Sequence, residues 1–163
     1  MKTRPLPLLK SFVHPARTTL AAVLALWSAR ILGLPEVYWA PISALIVMQK
    51  DFGASLVLSW QRLAGTALGA FVGSLLATHL GASVLSFALG VFTVGVVSIA
   101  LRLDRAANRF AAIALAIVML ASPRNPAWII AIHRLIEVSV GIVVGLLVST
   151  LWPERADGAA RTK

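Results

Sequence analysis

Long runs of apolar residues, separated by short polar and charged segments, dominate the chain. Six runs can be delimited, at residues 18–34, 37–49, 63–80, 82–101, 106–122 and 126–152. A helix needs about 20 apolar residues, within a range of about 17–25, to cross the hydrocarbon core of a bilayer. Four runs reach this length, while the second is short and the fifth has only 13 uncharged residues after Arg109. The pattern predicts an all-α integral membrane protein with six transmembrane helices.

Composition supports this interpretation. Hydrophobic residues make up 59% of the chain and charged residues 13%, whereas a soluble domain carries about 25% charged residues. We therefore expect the lipid bilayer to surround most of the chain. The formal net charge of +9 could also indicate nucleic-acid binding. However, the basic residues lie in short clusters between apolar runs, which favours a membrane protein that binds no nucleic acid.

The positions of Lys and Arg predict the orientation of the helices. With a cytoplasmic N-terminus, the cytoplasmic segments hold 12 Lys and Arg residues, and the opposite loops hold only Arg30 and Arg124. Cytoplasmic loops are enriched in these residues, so we expect both termini in the cytoplasm. The predicted organisation is a basic cytoplasmic tail at residues 1–16, a membrane domain at residues 17–153 and a short cytoplasmic tail at residues 154–163.

The two halves of the membrane domain are similar in sequence. RLAGTALGAFVGSLLATHL, from Arg62, matches RLIEVSVGIVVGLLVSTLW, from Arg134, at seven of 19 positions. WAPISALIVM matches FAAIALAIVM at five of ten positions, and the two offsets are 72 and 71 residues. Three helices are an odd number, so the halves are predicted to form two inverted three-helix repeats. Transporters of this kind often bind substrate at short or Pro-interrupted spans, which makes Pro41 and Ser43 candidates for the substrate pathway.

Ionisable residues interrupt the sixth run at His133, Arg134 and Glu137, and their spacing places them on one helix face. A charge at the centre of a span costs about 2.5–3.5 kcal/mol on insertion scales. The trio therefore either locks helices through an Arg–Glu pair or lines a substrate or proton path. His133 would relay a proton or simply hydrogen-bond between helices. Arg62 would flank an anion pathway together with Arg134, or extend to the membrane surface.

Glycines recur in steps of four along the third and sixth runs, at Gly65, Gly69, Gly73, Gly141 and Gly145. Small residues at this spacing allow helix backbones to approach closely in lipid. We expect these glycines to pack the third helix against the sixth.

Motifs for catalysis are not found. The chain has no HExxH, GxSxG or P-loop motif, no cysteine and only three scattered histidines. We expect neither an enzyme nor a metal site, and no cofactor.

The stretch YWAPISALIVMQKDFGASLVLSWQRLAGTALGAFVGSLL, residues 38–77, resembles the start of the fusaric-acid-resistance-like (FUSC) membrane domain of the aromatic acid exporters. The resemblance rests on WAPISA, on GASL at residues 53–56, and on Arg62 leading into Gly65, Thr66 and Gly69. Residues 134–153, with Arg134, Glu137 and Gly141, are similar to the last helix of that domain. Together the similar regions cover residues 17–153. The resemblance implies a six-helix exporter or channel for organic, often aromatic, carboxylate anions in the bacterial inner membrane.

The related plant malate channels imply a dimer with an anion path lined by basic residues. Because the larger exporters carry two membrane halves and cytoplasmic regions, we expect this chain to act as a homodimer. A second hypothesis is a non-transporting membrane subunit that assembles with, or regulates, a larger efflux system through partner proteins.

Overall fold

The computed structural model describes residues 7–120 and 126–152, and all regular secondary structure within these residues is helical. In chain order the helices are α1 (Pro7–Ile31), α2 (Trp39–Val47), α3 (Phe52–Leu80), α4 (Val84–Ala100), α5 (Arg105–Leu120) and α6 (Ala127–Leu151). Each predicted apolar run coincides with one of these helices, which confirms the all-α fold. By length and composition, α3 and α6 could each cross a membrane, and α4 is a shorter apolar helix.

Two helices begin earlier than the apolar runs predict. Helix α1 begins at Pro7, inside the predicted tail, and continues through Pro15. Helix α3 begins at Phe52 rather than near residue 63, because the carboxylate of Asp51 accepts a hydrogen bond from the backbone N–H of Ala54 at 3.0 Å. Aspartate is a favoured N-cap residue because it satisfies an otherwise unpaired N–H of the first turn. Residues 52–61 of α3 are mostly apolar but lie outside the predicted run, which begins after Gln61 and Arg62.

Helices α3 and α6 pack against each other at the centre of the fold, and the remaining helices are arranged around them in matching pairs. Helix α2 packs on α6 and is covered by α1, which also contacts α6. Helix α5 packs on α3, and α4 covers both α5 and α3. The contacts of α1 and α2 with α6 thus have counterparts in the contacts of α4 and α5 with α3.

The interior is built largely from small residues, and many large apolar residues lie on the outside. Ala21, Ala25 and Ala29 of α1 are fully buried in one cluster with Ala40 and Ala44 of α2. Large side chains on every helix are exposed, among them Trp27, Leu45, Phe71, Phe92, Ile113 and Val143. In water the burial of large apolar groups drives folding, whereas helices in lipid associate by close packing of small residues. The distribution is therefore that of a protein in a bilayer.

The glycine stripes lie against α5 and α2, which differs from the predicted contact between α3 and α6. A Cβ atom added at Gly69 would overlap the backbone carbonyl of Ala111 in α5. A Cβ atom added at Gly141 would overlap the backbone carbonyl of Ala40 in α2. Gly141 lies 72 residues after Gly69, and Ala111 lies 71 residues after Ala40. Among the glycines of the described residues, the two at which an added Cβ atom overlaps most therefore occupy corresponding positions of the two halves.

The neighbouring glycines repeat this relationship. Gly73 lies against Leu115 of α5, and Gly145 lies against Ala44 of α2. Gly65, at the start of the stripe in α3, lies against the carbonyl oxygen of Ala107. Each half thus contributes a glycine-bearing helix that packs on the short helix of the other half.

Candidate functional site

Arg134 is buried near the start of α6 and interacts with two carboxylates. It forms an ion pair with Glu36, which lies in the loop between α1 and α2. Its Nη1 atom lies 3.4 Å from Oε2 of Glu137, one turn further along α6. The guanidinium also stacks on the ring of Trp39, with 4.2 Å between Cζ and the ring centroid. These contacts hold one cation between two anions and an aromatic face.

The loop carrying Glu36 is fastened to α6 and to the start of α2. The backbone N–H of Glu36 donates to Oε1 of Glu137 at 3.0 Å. Oε2 of Glu36 accepts hydrogen bonds from the hydroxyl of Tyr38 at 2.8 Å and from Nε1 of Trp39 at 2.9 Å. Partial burial raises the pKa of Glu36, but the hydrogen bonds from Tyr38, Arg134 and Trp39 together lower this pKa below its usual value. Glu36 is therefore ionised at neutral pH.

Arg62 is a second buried arginine, in α3, and it has no carboxylate partner among the described residues. Its Nη2 atom donates to Oγ of Ser43 at 3.1 Å, and this hydroxyl donates to the carbonyl of Trp39 at 2.8 Å. Its guanidinium lies over the ring of Phe110, with 4.9 Å between Cζ and the ring centroid. The Nε atom of Arg62 is buried without a hydrogen-bond partner. An aromatic face and one hydroxyl thus replace the anions that surround Arg134.

The two arginine–aromatic contacts cross between the halves in a reciprocal way. Arg62 of the first half stacks on Phe110 of the second, and Arg134 of the second half stacks on Trp39 of the first. Arg62 and Arg134 are 72 residues apart, and Trp39 and Phe110 are 71 residues apart. The sequence similarity between the halves therefore coincides with matching contacts in three dimensions.

The acidic residues do not follow this correspondence. The position that matches Glu36 is Ala107, and the position that matches Glu137 is Gly65. Arg134 consequently contacts two carboxylates, which together carry one more charge than the arginine, while Arg62 contacts no carboxylate among the described residues. A buried unpaired cation is unfavourable in a low-dielectric interior, which favours a functional role for Arg62.

Both arginines line one small internal space between α2, α3, α5 and α6. Its volume is about 10 Å³, and Trp39, Thr66 and Phe110 also line it. This is close to the roughly 10–15 Å³ that one water molecule requires. A wider open cleft of about 460 Å³ adjoins it. The cleft is lined by Glu36, Tyr38, Trp39, Ala116, Ile117, Leu120 and Arg134, of which Trp39, Ile117 and Arg134 also line the inner space.

The structure brings together four of the six predicted pathway residues: Ser43, Arg62, Arg134 and Glu137. Pro41 lines neither space. It lies in the first turn of α2, where a proline removes no intrahelical hydrogen bond, so it does not interrupt the helix as expected. His133 is half-buried. It forms no hydrogen bond or ion pair with Glu137, so the structure does not show the proposed proton pair.

Sequence reasoning missed Glu36 and Arg17. Glu36 stands in a short loop outside every apolar run, and its position three residues before Trp39 was the only available signal. Arg17 was counted among the cytoplasmic charges, yet it is buried and bridges three elements. Its Nη2 atom donates to the carbonyl of Gln49 and to Oγ of Ser149, both at 3.2 Å. Neither contact follows from local sequence, because each joins residues that are far apart along the chain.

Metal binding finds no support in the geometry. Among residues 7–120 and 126–152, no group of three His, Asp or Glu side chains is close enough to hold a metal ion.

Curated proteins similar to this chain are all much longer. The chain is 32% identical over 157 residues to "Uncharacterized transporter YdhK" of Escherichia coli K12. It is 31% identical over 156 residues to the protein of the same name from Salmonella typhimurium. Each alignment covers 90% of this chain but only 23% of the relative, so the chain spans about a quarter of the length of these relatives. No solved structure is detectably similar to the chain.

A family model also matches most of the chain. It is described as fusaric acid resistance protein-like, and it matches residues 20–148. The matched region runs from α1 to α6 and includes Glu36, Arg62, Phe110 and Arg134. The chain therefore belongs to the fusaric acid resistance protein-like family.

Proposed function

We propose that this chain is a membrane transport module that conducts organic carboxylate anions along the interface between its two halves. The observation that carries the proposal is the pair of buried arginines, Arg62 and Arg134, which occupy corresponding positions and line one internal space. Membership of a family whose similar curated proteins bear transporter names also supports it.

The chemistry of the site favours carboxylates over other solutes. The planar guanidinium of arginine binds carboxylates through paired N–H donors and keeps its charge in apolar surroundings. Arg62 has no carboxylate partner among the described residues, so an incoming anion would pair with it directly. The rings of Trp39 and Phe110 border the same space. Flat apolar walls beside two cations suit an aromatic acid, since its ring can stack while its carboxylate is bound.

The proposed threading through the membrane follows from the repeat. Each half comprises three helices, so both halves would enter the bilayer from opposite sides if all six helices span it. The reciprocal contacts of Arg62 with Phe110 and of Arg134 with Trp39 support this pseudo-symmetry. The excess of Lys and Arg on one side favours cytoplasmic termini in the bacterial inner membrane.

Single cysteines introduced at Lys2 and Lys163 test the threading, because the chain contains no native cysteine. We expect both to be protected from a membrane-impermeant maleimide in intact cells and to react after permeabilisation. Arg30→Cys, at an exposed position in the last turn of α1, should react without permeabilisation. If the two end positions label from opposite sides, six spanning helices and the inverted repeat are both ruled out.

A conducting path also requires movement, since the space between the arginines admits about one water molecule. We propose that the α2–α6 pair moves away from the α3–α5 pair and so opens the space between the arginines. We further propose that a second copy of the chain packs against these pairs from outside. Chemical crosslinking in membranes followed by mass determination tests the homodimer.

The same small volume favours a second function, that of a non-transporting subunit assembling with a larger efflux system. In that case Arg134, Glu36 and Glu137 would serve only to hold α6 against the loop before α2. Purified chain in liposomes discriminates between the two functions, because only the first predicts flux without partner proteins.

Replacement of Arg62 by glutamine is the sharpest test of transport, because it removes no partner from a buried carboxylate. We expect the protein to insert normally while uptake of terephthalate into liposomes falls by about tenfold or more, the effect of losing one hydrogen bond to a charged group. Arg109→Gln, at an exposed position of α5, removes the same charge and should leave uptake unchanged. Equal uptake by wild type and Arg62→Gln would exclude Arg62 from the path.

A further inference from the structure

We infer that Glu36 is an internal ligand that occupies the carboxylate-binding site of Arg134 and that a transported anion must displace it. This inference rests on the proposed function, since it assigns a competitor to the same site. It identifies Glu36 as the residue that sets the apparent affinity of the module for carboxylates.

Three donors converge on a single oxygen of Glu36, and together they form a carboxylate site. Nη2 of Arg134 contacts Oε2, and the same atom accepts from the hydroxyl of Tyr38 at 2.8 Å and from Nε1 of Trp39 at 2.9 Å. Hydrogen bonds to a charged acceptor are about twice as strong as neutral ones. Any carboxylate placed at this position would find the same three donors already oriented.

The two carboxylates beside Arg134 differ in their freedom to leave. The side chain of Glu137 is 1% exposed and belongs to α6, whereas that of Glu36 is 36% exposed and belongs to a loop. Glu36 also lines the open cleft of about 460 Å³, while Glu137 does not. An anion arriving through the cleft therefore meets Glu36 first, and rotation of this side chain into the cleft would vacate the donors.

Glu137 keeps Arg134 paired and the loop attached while Glu36 is exchanged for an anion. Its Oε2 atom stays 3.4 Å from Nη1 of Arg134, so Arg134 keeps one buried counter-charge when Glu36 departs. Its Oε1 atom accepts the backbone N–H of Glu36 at 3.0 Å, so the loop remains fastened while only the side chain moves. The structure thus separates a fixed counter-ion from a displaceable one.

Corresponding positions in the other half contain no such competitor. Arg62 has Ala107 and Gly65 where Arg134 has Glu36 and Glu137. An anion released from Arg134 could therefore pass to Arg62 without displacing a carboxylate. Displacement of a carboxylate is therefore needed only at Arg134, which lies beside the cleft. The apparent affinity for an anion there equals the intrinsic affinity multiplied by the fraction of time during which Glu36 leaves the site empty.

Terephthalate uptake by liposomes containing Glu36→Gln or Glu36→Asp tests the inference, with Asp104→Asn as the control for loss of a negative charge. Glu36→Gln removes the competing charge, and Glu36→Asp keeps the charge but shortens the side chain by one methylene. We expect both to lower the concentration for half-maximal uptake by about tenfold or more, the value of one hydrogen bond to a charged group. Asp104→Asn removes an equal charge at an exposed position that lines neither space, and it should shift this concentration by less than about threefold.

The outcomes separate the two levels of the proposal. Equal shifts in Glu36→Gln and Asp104→Asn, or no shift in Glu36→Asp, would show a general effect of charge and overturn the displacement of Glu36. If the wild type takes up terephthalate and both Glu36 variants have the same half-saturating concentration as the wild type, the displacement of Glu36 is overturned. The transport function is not contradicted by that result. Absence of uptake in the wild type and in every variant would instead refute the transport function itself.

Discussion

Replacement of Arg134 by alanine is expected to lower the free energy of unfolding by about 3–5 kcal/mol and to abolish carboxylate flux. Removal of one partner from a buried ion pair leaves an uncompensated charge, and costs of this size follow. Here two carboxylates lose their cation, and Glu137 is almost fully buried. The stacking contact with Trp39 is lost as well.

Two further variants determine whether unpaired charge is the cause. The double variant Arg134→Ala/Glu137→Gln should recover part of the stability but none of the flux, because the carboxylate becomes neutral while the anion site stays absent. Arg62→Ala should destabilise less than Arg134→Ala, since Arg62 has no carboxylate partner among the described residues. Unfolding in mixed detergent micelles measures the change in stability, and terephthalate uptake into liposomes measures the change in flux. Wild-type flux in an inserted Arg134→Ala protein would exclude this residue from the path.

Replacement of Gly69 by alanine is expected to destabilise the fold by about 3 kcal/mol, at the upper end of the range for overpacking. The added Cβ atom would overlap the backbone carbonyl of Ala111, and backbone cannot rotate aside as a flexible side chain can. The pair α3–α5 would have to separate. Because helices in lipid are held together mainly by close packing, the loss of one such contact affects the whole interface.

Gly95→Ala is the matched control, since no heavy atom lies within 4 Å of the Cβ position at Gly95 of α4. Alanine is the better helix former by about 1 kcal/mol, so this variant should be as stable as the wild type or more stable. Gly141→Ala, at the corresponding position of the other half, should destabilise α2–α6 as Gly69→Ala destabilises α3–α5. Thermal unfolding in detergent compares the three. A Gly69→Ala protein as stable as Gly95→Ala would show that the helices are not in close contact there.

Three of the buried charges, Arg62, Arg134 and Glu137, were predictable from sequence, but the burial of Arg17 and most of the contacts between distant residues were not. Arg134 and Glu137 were recognised as a pair because helical periodicity places them one turn apart. Glu36 was missed because a loop residue has no periodicity, and its contact with Arg134 spans 98 positions of the chain. The aromatic partners of the two arginines were visible only as an aligned pair, Trp39 and Phe110, with no sign that each faces the arginine of the other half.

The glycine spacing correctly predicted which helix faces pack closely, but the helices expected to pack there were the wrong ones. The steps of four in Gly65, Gly69 and Gly73 show that a neighbouring backbone approaches this face of α3. They carry no information about which helix approaches, and α5 occupies the position that was expected for α6. Short helices such as α2 and α5 can enter these grooves because their own facing residues, Ala40 and Ala111, are also small.

Hydropathy and repeat spacing by themselves determined the helices, the membrane class and the correspondence between the two halves, because hydropathy depends on neighbouring residues and the repeat is a nearly constant offset of 71 or 72 positions. Tertiary structure decided that Glu36 joins Glu137 beside Arg134 and that no carboxylate among the described residues contacts Arg62. That distinction depends on where a loop places Glu36 and on the absence of a carboxylate at Ala107 and Gly65 beside Arg62. The asymmetry of charge at the site arises from contacts between distant segments, and such contacts form only when the helices pack.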